Sequence, residues 1–371
     1  MDIGGKRLDI NPGIKGKTMA SSDEHTAATL PFKDARRYDR VYVVILNWNG
    51  WRDTIECLES VLRLKSQNIA IVICDNASTD CSMDHIIAWA NGELAAAETS
   101  FLHHTASAKP VPFIRYTREA AERGPGRATP LALIDTGGNL GFAGGCNVGI
   151  RYALTRPDCS HVWLLNNDSV ASPDALANMV ALCRARPRVG LCGSQVRYYD
   201  MPDVVQTFGG LLNPWFCTTH SIACGHPAAS VTAEPPKIDF VPGASMLATR
   251  AFLQQIGLMS ESYFLYFEEV DWAERAKGRF ELAVCLNGLV YHRGAASIGS
   301  PSEGGERGIR SEYYLLRGRV LFARKFYRWR LAVVYLSLLG SVFFRLRRRQ
   351  WLRARVALGA FFGVKPALLK N

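Results

Sequence analysis

Short apolar runs alternate with amphipathic segments between residues 42 and 193. The runs at 42–47, 68–74, 131–134 and 161–165 predict buried strands, and each is followed by a segment whose apolar spacing predicts a helix. Strands that alternate with helices in this way form right-handed βαβ units around a parallel sheet. We therefore predict an α/β fold with a Rossmann-like, mostly parallel sheet flanked by helices.

Three parts of the chain depart from this alternation. Residues 91–130 are rich in Ala, Pro and Gly, and we interpret them as an insertion or mobile loop. Residues 1–40 show no periodicity and predict a loosely ordered N-terminal extension. Residues 194–240 predict irregular strands and loops. The sheet domain is therefore expected to span residues 41–305, with a mostly helical region at 306–371.

The charge of the chain is concentrated at its C-terminal end. The net charge is +11, but residues 307–371 hold sixteen basic residues and one acid, Glu312, a net +15 that leaves −4 for the rest. A basic segment suggests a polyanionic partner, either nucleic acid or an anionic membrane surface. The acidic balance of the remaining chain argues against a nucleic-acid-binding protein.

Aromatic and aliphatic residues interleave with the basic residues of this tail. Its longest uncharged apolar run is Leu331–Phe344, and those 14 residues are fewer than the ~20 needed to span a bilayer. Basic amphipathic segments with Trp, Phe and Leu favour the membrane interface. We therefore predict that 306–371 is a basic amphipathic helical region on a membrane surface. A buried core helix and a true span are the alternatives.

The cysteines and the N-terminal residues bear on the compartment. The ten cysteines form no CxxC pair and lie at scattered positions, which argues against a zinc site. Residues 1–40 contain basic residues but no apolar segment of the kind found in export signals. We therefore expect reduced thiols and a cytoplasmic protein.

Polar side chains follow several of the predicted strands directly. The strand at 161–165 runs into Asn166, Asn167 and Asp168, while Asn47 and Asp75 end the first two strands. The carboxyl ends of parallel strands form one edge, where open α/β sheets bind ligands. A carboxylate there can hold a hard divalent cation, which in turn can hold a pyrophosphate. An Asx turn or a helix N-cap is the structural alternative.

The glycine-rich segment 137–150 lies between a predicted strand and a helix. Glycines let the backbone approach a phosphate or a sugar closely. The segment does not fit the GxGxxG fingerprint, and WNGW, rather than glycines, follows the first strand. A nicotinamide-dependent oxidoreductase is therefore disfavoured.

A cluster of acids at 268–271 and a single histidine complete the candidate chemistry. Glu268, Glu269 and Asp271 follow the aromatic sequence YFLYF, and a carboxylate beside an apolar pocket can act as a general base. Acids are also favourable at a helix N-terminus, which is the alternative reading. His292 can share a metal with Asp168, although a single histidine after a strand is more often structural.

Six motifs, in this order, resemble those of the family 2 glycosyltransferases. The resemblance covers residues 41–325 and is closest to the rhamnosyltransferase-like branch that builds bacterial surface polysaccharides. The motifs are YVVILNWNGWRDTIECLESVL, VICDNASTD, NLGFAGGCNVGI, LLNNDSV, FVPGASMLATRAFLQQIGLMSESYFLYFEEVDWAERAKG and VYHRGAAS.

The resemblance implies a GT-A fold, a nucleotide-diphosphate-sugar donor and a divalent metal, Mg²⁺ or Mn²⁺. It also implies a role for each matched residue. The donor-binding residues would be Asn47, Asp75, Asn76, Asn139, Leu140, Gly141 and Asn167, the metal ligands Asp168 and His292, and the general base Glu269, with Asp271 and then Glu268 as alternatives.

The resemblance further implies an inverting transfer to a hydroxyl of a lipid-linked or polysaccharide acceptor. The first expectation for the donor is dTDP-rhamnose, with UDP- and GDP-sugars as alternatives. The expected location of the protein is the inner face of the plasma membrane. Glu269 stands where the family usually has Asp. A catalytically silent sugar-nucleotide-binding relative of the same fold is therefore the alternative function.

Overall fold

A ten-stranded mixed sheet runs through the centre of the computed structural model. The structure describes residues 40–66, 68–99, 101, 107–124, 129–294 and 308–366. The strands of the described residues are β1 (Arg40–Asn47), β2 (Ile69–Asp75), β3 (Phe113–Thr117), β4 (Leu131–Asp135), β5 (Cys159–Asn166), β6 (Ser169–Ala171), β7 (Val189–Tyr198), β8 (Val205–Thr207), β9 (Gly210–Asn213), β10 (Thr218–Ser221), β11 (Ser245–Thr249) and β12 (Glu281–His292). All of them except β9 and β10 belong to this sheet, and those two pair with each other as a separate antiparallel hairpin.

The helices cover both faces of the sheet and form the C-terminal region. They are α1 (Trp51–Leu62), α2 (Ser82–Asn91), α3 (Arg118–Glu122), α4 (Gly141–Leu154), α5 (Ala175–Ala185), α6 (Arg250–Ile256), α7 (Glu268–Ala276), α8 (Ile309–Phe326), α9 (Leu331–Arg347) and α10 (Trp351–Phe362).

The order of strands confirms the predicted, mostly parallel α/β sheet. The order is β3-β4-β2-β1-β5-β11-β7-β12-β6, with β8 beside β7, and the first five strands run parallel. Val43 and Ile45 of β1 pack on the face that also holds α1, while Tyr42 and Val44 pack on the face that holds α4. Strands covered on both faces are continuously apolar, as the sequence shows here.

Pairing in the sheet brings the polar strand ends together. Asn47 lies beside Asp75, Asp75 lies beside Asp135, and Leu46 lies beside Asn166. The ends of β1, β2, β4 and β5 therefore form one edge, which carries most of the predicted donor-binding residues.

The alternative that residues 91–130 are a mobile loop is wrong for 113–122. There β3 pairs in parallel with β4, and α3 follows it directly. Because β3 lies at the sheet's end and is half-exposed, it lacks the apolar run that marks the inner strands. Residues 102–106 and 125–128 of this segment, and 1–39 of the predicted extension, lie outside the described residues.

Two further details of the sheet matter for the site. Residues 281–292 form a single strand, β12, whose pairing with β7 shifts between Cys285 and Leu289. The three-residue strand β6 pairs with β12 immediately after Asp168. Because β6 is so short, it leaves no recognisable period in the sequence, yet it anchors the segment that carries Asp168.

The C-terminal helices share a hydrophobic core with the sheet domain. Tyr313 and Phe322 of α8 pack in one cluster with Phe267, which precedes α7, and with Leu212 of β9. Glu312 of α8 accepts hydrogen bonds from Arg345 of α9 and from Arg353 of α10, so the single acid of the tail joins its three helices.

One helix of the described part, Arg328–Arg347, is long and apolar enough to cross a membrane by length and composition alone. It is longer than the uncharged run because it includes flanking arginines. Within the structure α9 packs on α8 and α10, with Val334 and Leu338 fully buried. Ser337 of α9 also accepts a hydrogen bond of 2.7 Å from Arg319 of α8.

Candidate functional site

A cavity opens at the edge where the parallel strands end, and we call it the edge cavity. It measures about 720 Å³ and is open to solvent. It brings together five of the predicted site residues with others from the segments before α7 and at the start of α8. Its lining residues are Leu46, Trp48, Asn76, Asn139, Gly141, Phe142, Asn166, Asn167, Asp168, Phe264, Leu265 and Arg310.

Asn47 and Asp75 form a buried hydrogen-bonded pair behind this cavity. The Asn47 amide donates to Asp75 at 2.7 Å and to Ser78 at 3.0 Å, and its oxygen accepts from Thr54 at 2.8 Å. Since Asn47 is fully buried and its amide is already bonded, it positions Asp75 rather than facing a ligand. Asp75 also accepts bonds from Ser78 and remains slightly exposed.

Asn76 fixes the glycine-rich loop next to the edge cavity. Its side chain donates to Asn139 at 3.0 Å and accepts from the backbone of Leu140 at 2.9 Å. Gly141 has φ +72°, and a Cβ there would lie 2.4 Å from the carbonyl oxygen of Phe264. The loop therefore requires glycine at 141 to pack against the segment that leads into α7.

Asp168 and His292 meet on the other side of the cavity. The Asp168 carboxylate lies 3.1 Å from His292 Nε2. His292 Nδ1 lies 2.6 Å from the side-chain oxygen of Gln206, an arrangement in which Nδ1 carries the proton and the Nε2 lone pair faces the Asn166 amide and the Asp168 carboxylate. The Arg293 amide also donates to the carbonyl of Asp168 at 3.1 Å. The predicted pair of metal ligands is thus brought together.

The donor set around Asp168 fits a divalent cation. Asn166 donates to His292 at 3.2 Å, while its buried side-chain oxygen has no hydrogen-bond partner in the described structure. An orphaned buried oxygen is costly unless a ligand or water satisfies it. Within the described ranges, no group of three or more His, Cys, Asp and Glu side chains could enclose a metal. Mg²⁺ typically needs only one or two carboxylates when phosphates and water complete its shell.

Sequence reasoning missed Trp48, Phe264 and Arg310 as lining residues of the edge cavity. The Arg310 guanidinium lies 5.7 Å from the centre of the Trp48 ring. Arg310 brings a fixed positive charge into the cavity from α8, over 140 residues beyond the strand end that carries Asp168. The place of Arg310 in the cavity follows only from the packing of α8, which brings the start of this helix close to Trp48.

The structure argues against Asp271 as the general base. Asp271 is fully buried, and its oxygens accept hydrogen bonds from Arg275 at 2.7 Å and from Lys325 at 2.6 Å. Tyr263 donates to it as well, at 3.2 Å. A fully buried carboxylate whose oxygens are taken up by two cations and a hydroxyl is not positioned to reach an acceptor hydroxyl. Its role is to tie α7 to α8.

Glu268 and Glu269 have a different environment at the start of α7. Burial and the neighbouring Glu269 raise the pKa of Glu268 well above its usual value. Burial raises the pKa of Glu269 to about 7, although backbone amides at the helix start act in the opposite direction. One carboxyl oxygen of each is buried without a hydrogen-bond partner in the described structure.

Glu269 lines a second cavity, which we call the hairpin cavity because Thr218 and Thr219 of β10 form part of it. The cavity measures about 710 Å³ and also includes Tyr266, Phe267, Leu315, Leu316 and Arg319. Tyr266 and Phe267 have φ values of +65° and +73°, which are strained for aromatic residues. The segment 264–267 thus contributes residues to both cavities, with Glu269 just beyond it.

Comparisons with known proteins find similarity to family 2 glycosyltransferases over part of this chain. Residues 115–229 match the model of Glycosyl transferase family 2. The chain is 27% identical over 154 residues to the low-salt glycan biosynthesis hexosyltransferase Agl10 of Haloferax volcanii, covering 40% of this chain and 46% of that protein. The expected resemblance to the family 2 glycosyltransferases is thus confirmed, with the match to the family model lying within residues 115–229.

Two other similarities were found. The chain is 27% identical over 189 residues to an N-acetylglucosaminyl-diphospho-decaprenol L-rhamnosyltransferase of Mycobacterium tuberculosis, covering 46% of this chain and 61% of that protein. The matches thus span roughly half the length of these relatives. The mannosyltransferase PcManGT from Pyrobaculum calidifontis, in complex with GDP-Man and Mn²⁺, superposes with a TM-score of 0.48 at 14% identity, over 86% of this chain and 85% of that one.

The raised pKa of Glu268 makes a prediction about stability. A carboxyl whose folded pKa exceeds its unfolded value of about 4.5 contributes stability that is present at low pH and is lost as the pH rises. Glu268→Gln removes that loss. We expect the free energy of unfolding of the variant, relative to that of wild type, to increase from pH 5 to pH 8, as measured by urea unfolding at each pH.

The matched control is Glu98→Gln, which changes an exposed glutamate. Its free energy of unfolding should follow that of the wild type at both pH values. A difference between Glu268→Gln and wild type that stays constant from pH 5 to pH 8 would show that Glu268 is ionised in the folded protein.

Proposed function

We propose that this protein transfers a sugar from a nucleotide-diphosphate donor to a hydroxyl acceptor, with inversion at the anomeric carbon. The observation that carries the proposal is the approach of Asp168, which lines the edge cavity, to the buried His292, whose Nε2 lies 3.1 Å from the Asp168 carboxylate. The family 2 domain supports the same class of activity.

Asp168 and His292 would hold the cation, Mg²⁺ or Mn²⁺, with Mn²⁺ better suited to a histidine ligand. Gln206 is a positioning residue in this proposal, because its side-chain oxygen holds the His292 ring with Nε2 towards Asp168. When bound, the cation would supply positive charge to the leaving diphosphate. The orphaned oxygen of Asn166 would gain a partner in the same event.

The remaining groups of the edge cavity suit the other parts of the donor. Asp75, behind the cavity, can accept a hydrogen bond from a base or a ribose hydroxyl. Asn167 follows β5, which is separated from β2 by β1, and lines the cavity itself. The glycine-containing loop at 139–141 lets the protein backbone approach the donor closely. Trp48 offers an aromatic wall, and Arg310 offers a charge for the diphosphate.

Glu269 is the base in this proposal. Its carboxylate takes the proton of the acceptor hydroxyl while the hydroxyl oxygen forms a bond to the anomeric carbon. The bond from that carbon to the diphosphate breaks in the same step, and the nucleoside diphosphate leaves with the electron pair. A single displacement inverts the configuration and needs no nucleophilic cysteine or serine.

The first donor to test is dTDP-rhamnose, with UDP- and GDP-sugars as alternatives. The similarity to a rhamnosyltransferase that acts on a lipid-linked sugar supports this choice of donor and a lipid-linked glycan acceptor. We propose that the protein acts at the inner face of the plasma membrane, with its basic helices on the anionic leaflet. The second candidate function is a silent sugar-nucleotide-binding relative, because Glu269 stands where family members usually have Asp.

Substitution of Asp168 tests the proposal directly. Asp168→Asn should abolish the effect of Mn²⁺ on nucleotide-sugar binding and lower metal-dependent release of the nucleoside diphosphate at least 100-fold, because an amide is a poor cation ligand. Binding is measured by calorimetry with and without Mn²⁺, and release by a coupled phosphate assay, across dTDP-, UDP- and GDP-sugars.

Asp174→Asn is the matched control, since Asp174 is an exposed aspartate in a surface ion pair with Lys65. It should behave as wild type. Equal activity in Asp168→Asn and wild type would refute the assigned metal site. Metal-dependent binding without turnover of any donor would favour the silent relative.

The pKa of Glu269 sets the expected pH profile. A general base must be ionised, so kcat should rise as the pH increases through about 7 and then level off. Glu269→Gln should lower kcat by 10²–10⁴-fold and remove the rise, while donor binding stays within a factor of about three. Steady-state rates from pH 5.5 to 9 measure both effects.

Asp271→Asn separates the two carboxylates. It should mainly reduce thermal stability, because it removes the charge that pairs with Arg275 and Lys325. If Asp271→Asn abolished turnover in a folded protein while Glu269→Gln did not, the base would be misassigned.

A further inference from the structure

Exposed large hydrophobic side chains are confined to two segments of the described chain. Fourteen such side chains expose more than a third of their surface, and they lie either at 211–216 or at 329–364. Such residues are normally scattered singly, and contiguous apolar patches mark interaction sites. The first segment belongs to the β9–β10 hairpin of the sheet domain, so the exposed surface is not limited to the basic tail.

The two segments touch each other. Trp215 meets Trp329 edge to face, with ring centres 5.5 Å apart. The Arg330 guanidinium lies 4.6 Å from the Trp215 ring and 4.0 Å from the Trp329 ring. We call Trp215, Phe216, Trp329 and Arg330 the interfacial cluster. Arg319 of α8 holds the β9–β10 hairpin in place, because its guanidinium donates two hydrogen bonds, of 2.8 Å and 3.1 Å, to the Phe216 carbonyl.

The exposed faces of α9 and α10 extend this cluster. On α9 the exposed side chains recur at the spacing of one helical face, opposite the buried Val334 and Leu338. Three exposed arginines follow at 347–349, and Arg328 lies at the other end of the helix. The exposed apolar side chains of the two helices are Leu336, Leu339, Phe343, Phe344, Leu346, Trp351, Leu352, Leu358 and Phe362.

We infer that the interfacial cluster docks on an anionic lipid bilayer together with α9 and α10, so that the β9–β10 hairpin is itself a membrane contact. Tryptophans stacked with arginine suit the boundary between headgroups and acyl chains, where an aromatic ring is buried and a cation meets lipid phosphate. The net charge of +15 over residues 307–371 complements an anionic leaflet.

Docking in this way orients the hairpin cavity. Thr218 and Thr219, which line it with Glu269, follow the turn that carries Trp215 and Phe216, and Arg319 both lines the cavity and holds that turn. A lipid-linked acceptor, with its lipid in the bilayer, would therefore present its sugar to Glu269 close to the membrane surface. This consequence rests on the proposed function, whereas the docking itself does not.

The test is flotation of the full chain with vesicles of phosphatidylcholine containing phosphatidylglycerol, compared with phosphatidylcholine alone. Trp215→Ser combined with Phe216→Ser should weaken binding to the anionic vesicles on the order of tenfold, because the two half-exposed aromatic side chains can then no longer enter the membrane interface. Trp215→Tyr combined with Phe216→Tyr should restore most of the binding, since tyrosine also partitions to this boundary.

A charge pair provides the matched control. Arg330→Glu should weaken binding to the anionic vesicles strongly, whereas Arg188→Glu, at an exposed arginine in the sheet domain, should change it by less than twofold. Equal losses would mean that binding follows net charge alone and would overturn the proposal. Unchanged binding of the Trp215→Ser, Phe216→Ser variant would overturn it as well.

Two further outcomes are informative. If sedimentation without lipid showed a dimer that Trp215→Ser with Phe216→Ser dissociates, the surface would be an interface between copies, and lipid docking would be wrong. Release of nucleoside diphosphate in solution tests the proposed function separately. Loss of vesicle binding in the variant therefore supports the docking surface even if no donor is turned over by the wild type.

Discussion

The structure depends on the parallel register that brings four polar strand ends to one edge. Buried strands can end in polar groups only if those groups find partners, because an unpaired buried amide or carboxylate is costly. Here the partners are largely the neighbouring strand ends: Asn47 bonds to Asp75, and Asn76 holds the loop at Asn139. On the opposite side of the edge cavity, Asn166 and Asp168 meet His292. The side-chain oxygen of Asn166, which is buried without a hydrogen-bond partner in the described structure, is available to a ligand.

A second constraint acts at the start of α7. Tyr266 and Phe267 adopt left-handed backbone conformations, and Gly141 packs directly against Phe264. This turn supports one wall of the edge cavity and one wall of the hairpin cavity. Strain of this kind persists only where surrounding contacts enforce it, and the α8 core supplies them through Phe322. The basic helices are thus part of the site's framework, in addition to the membrane contact that we propose for them.

The sequence predicted what depends on local patterns. Apolar runs located the inner strands, and the residues that follow them, Asn47, Asp75 and Asp168, were recognised because the edge of a parallel sheet is a fixed consequence of the topology. The half-exposed β3 and the three-residue β6 were missed, since neither carries a period.

Long-range packing decided the rest. Asp271 was a candidate base by spacing, but Lys325, 54 residues further on, holds its carboxylate. Arg310 and Trp48 meet across more than 250 residues of sequence, so no motif contains both. The contact between Trp215 and Trp329 likewise arises only when the hairpin folds onto the C-terminal helices. These features follow from how α8 packs, which a single sequence does not encode in any local pattern.

The most direct test of the central claim is anomalous diffraction from crystals grown with Mn²⁺ and a nucleoside diphosphate. We expect one strong manganese peak within bonding distance of the Asp168 carboxylate and His292 Nε2, with the diphosphate in the edge cavity. A bound nucleotide with no manganese at these residues, or manganese bound only elsewhere, would contradict the assignment of this edge as the metal-dependent donor site.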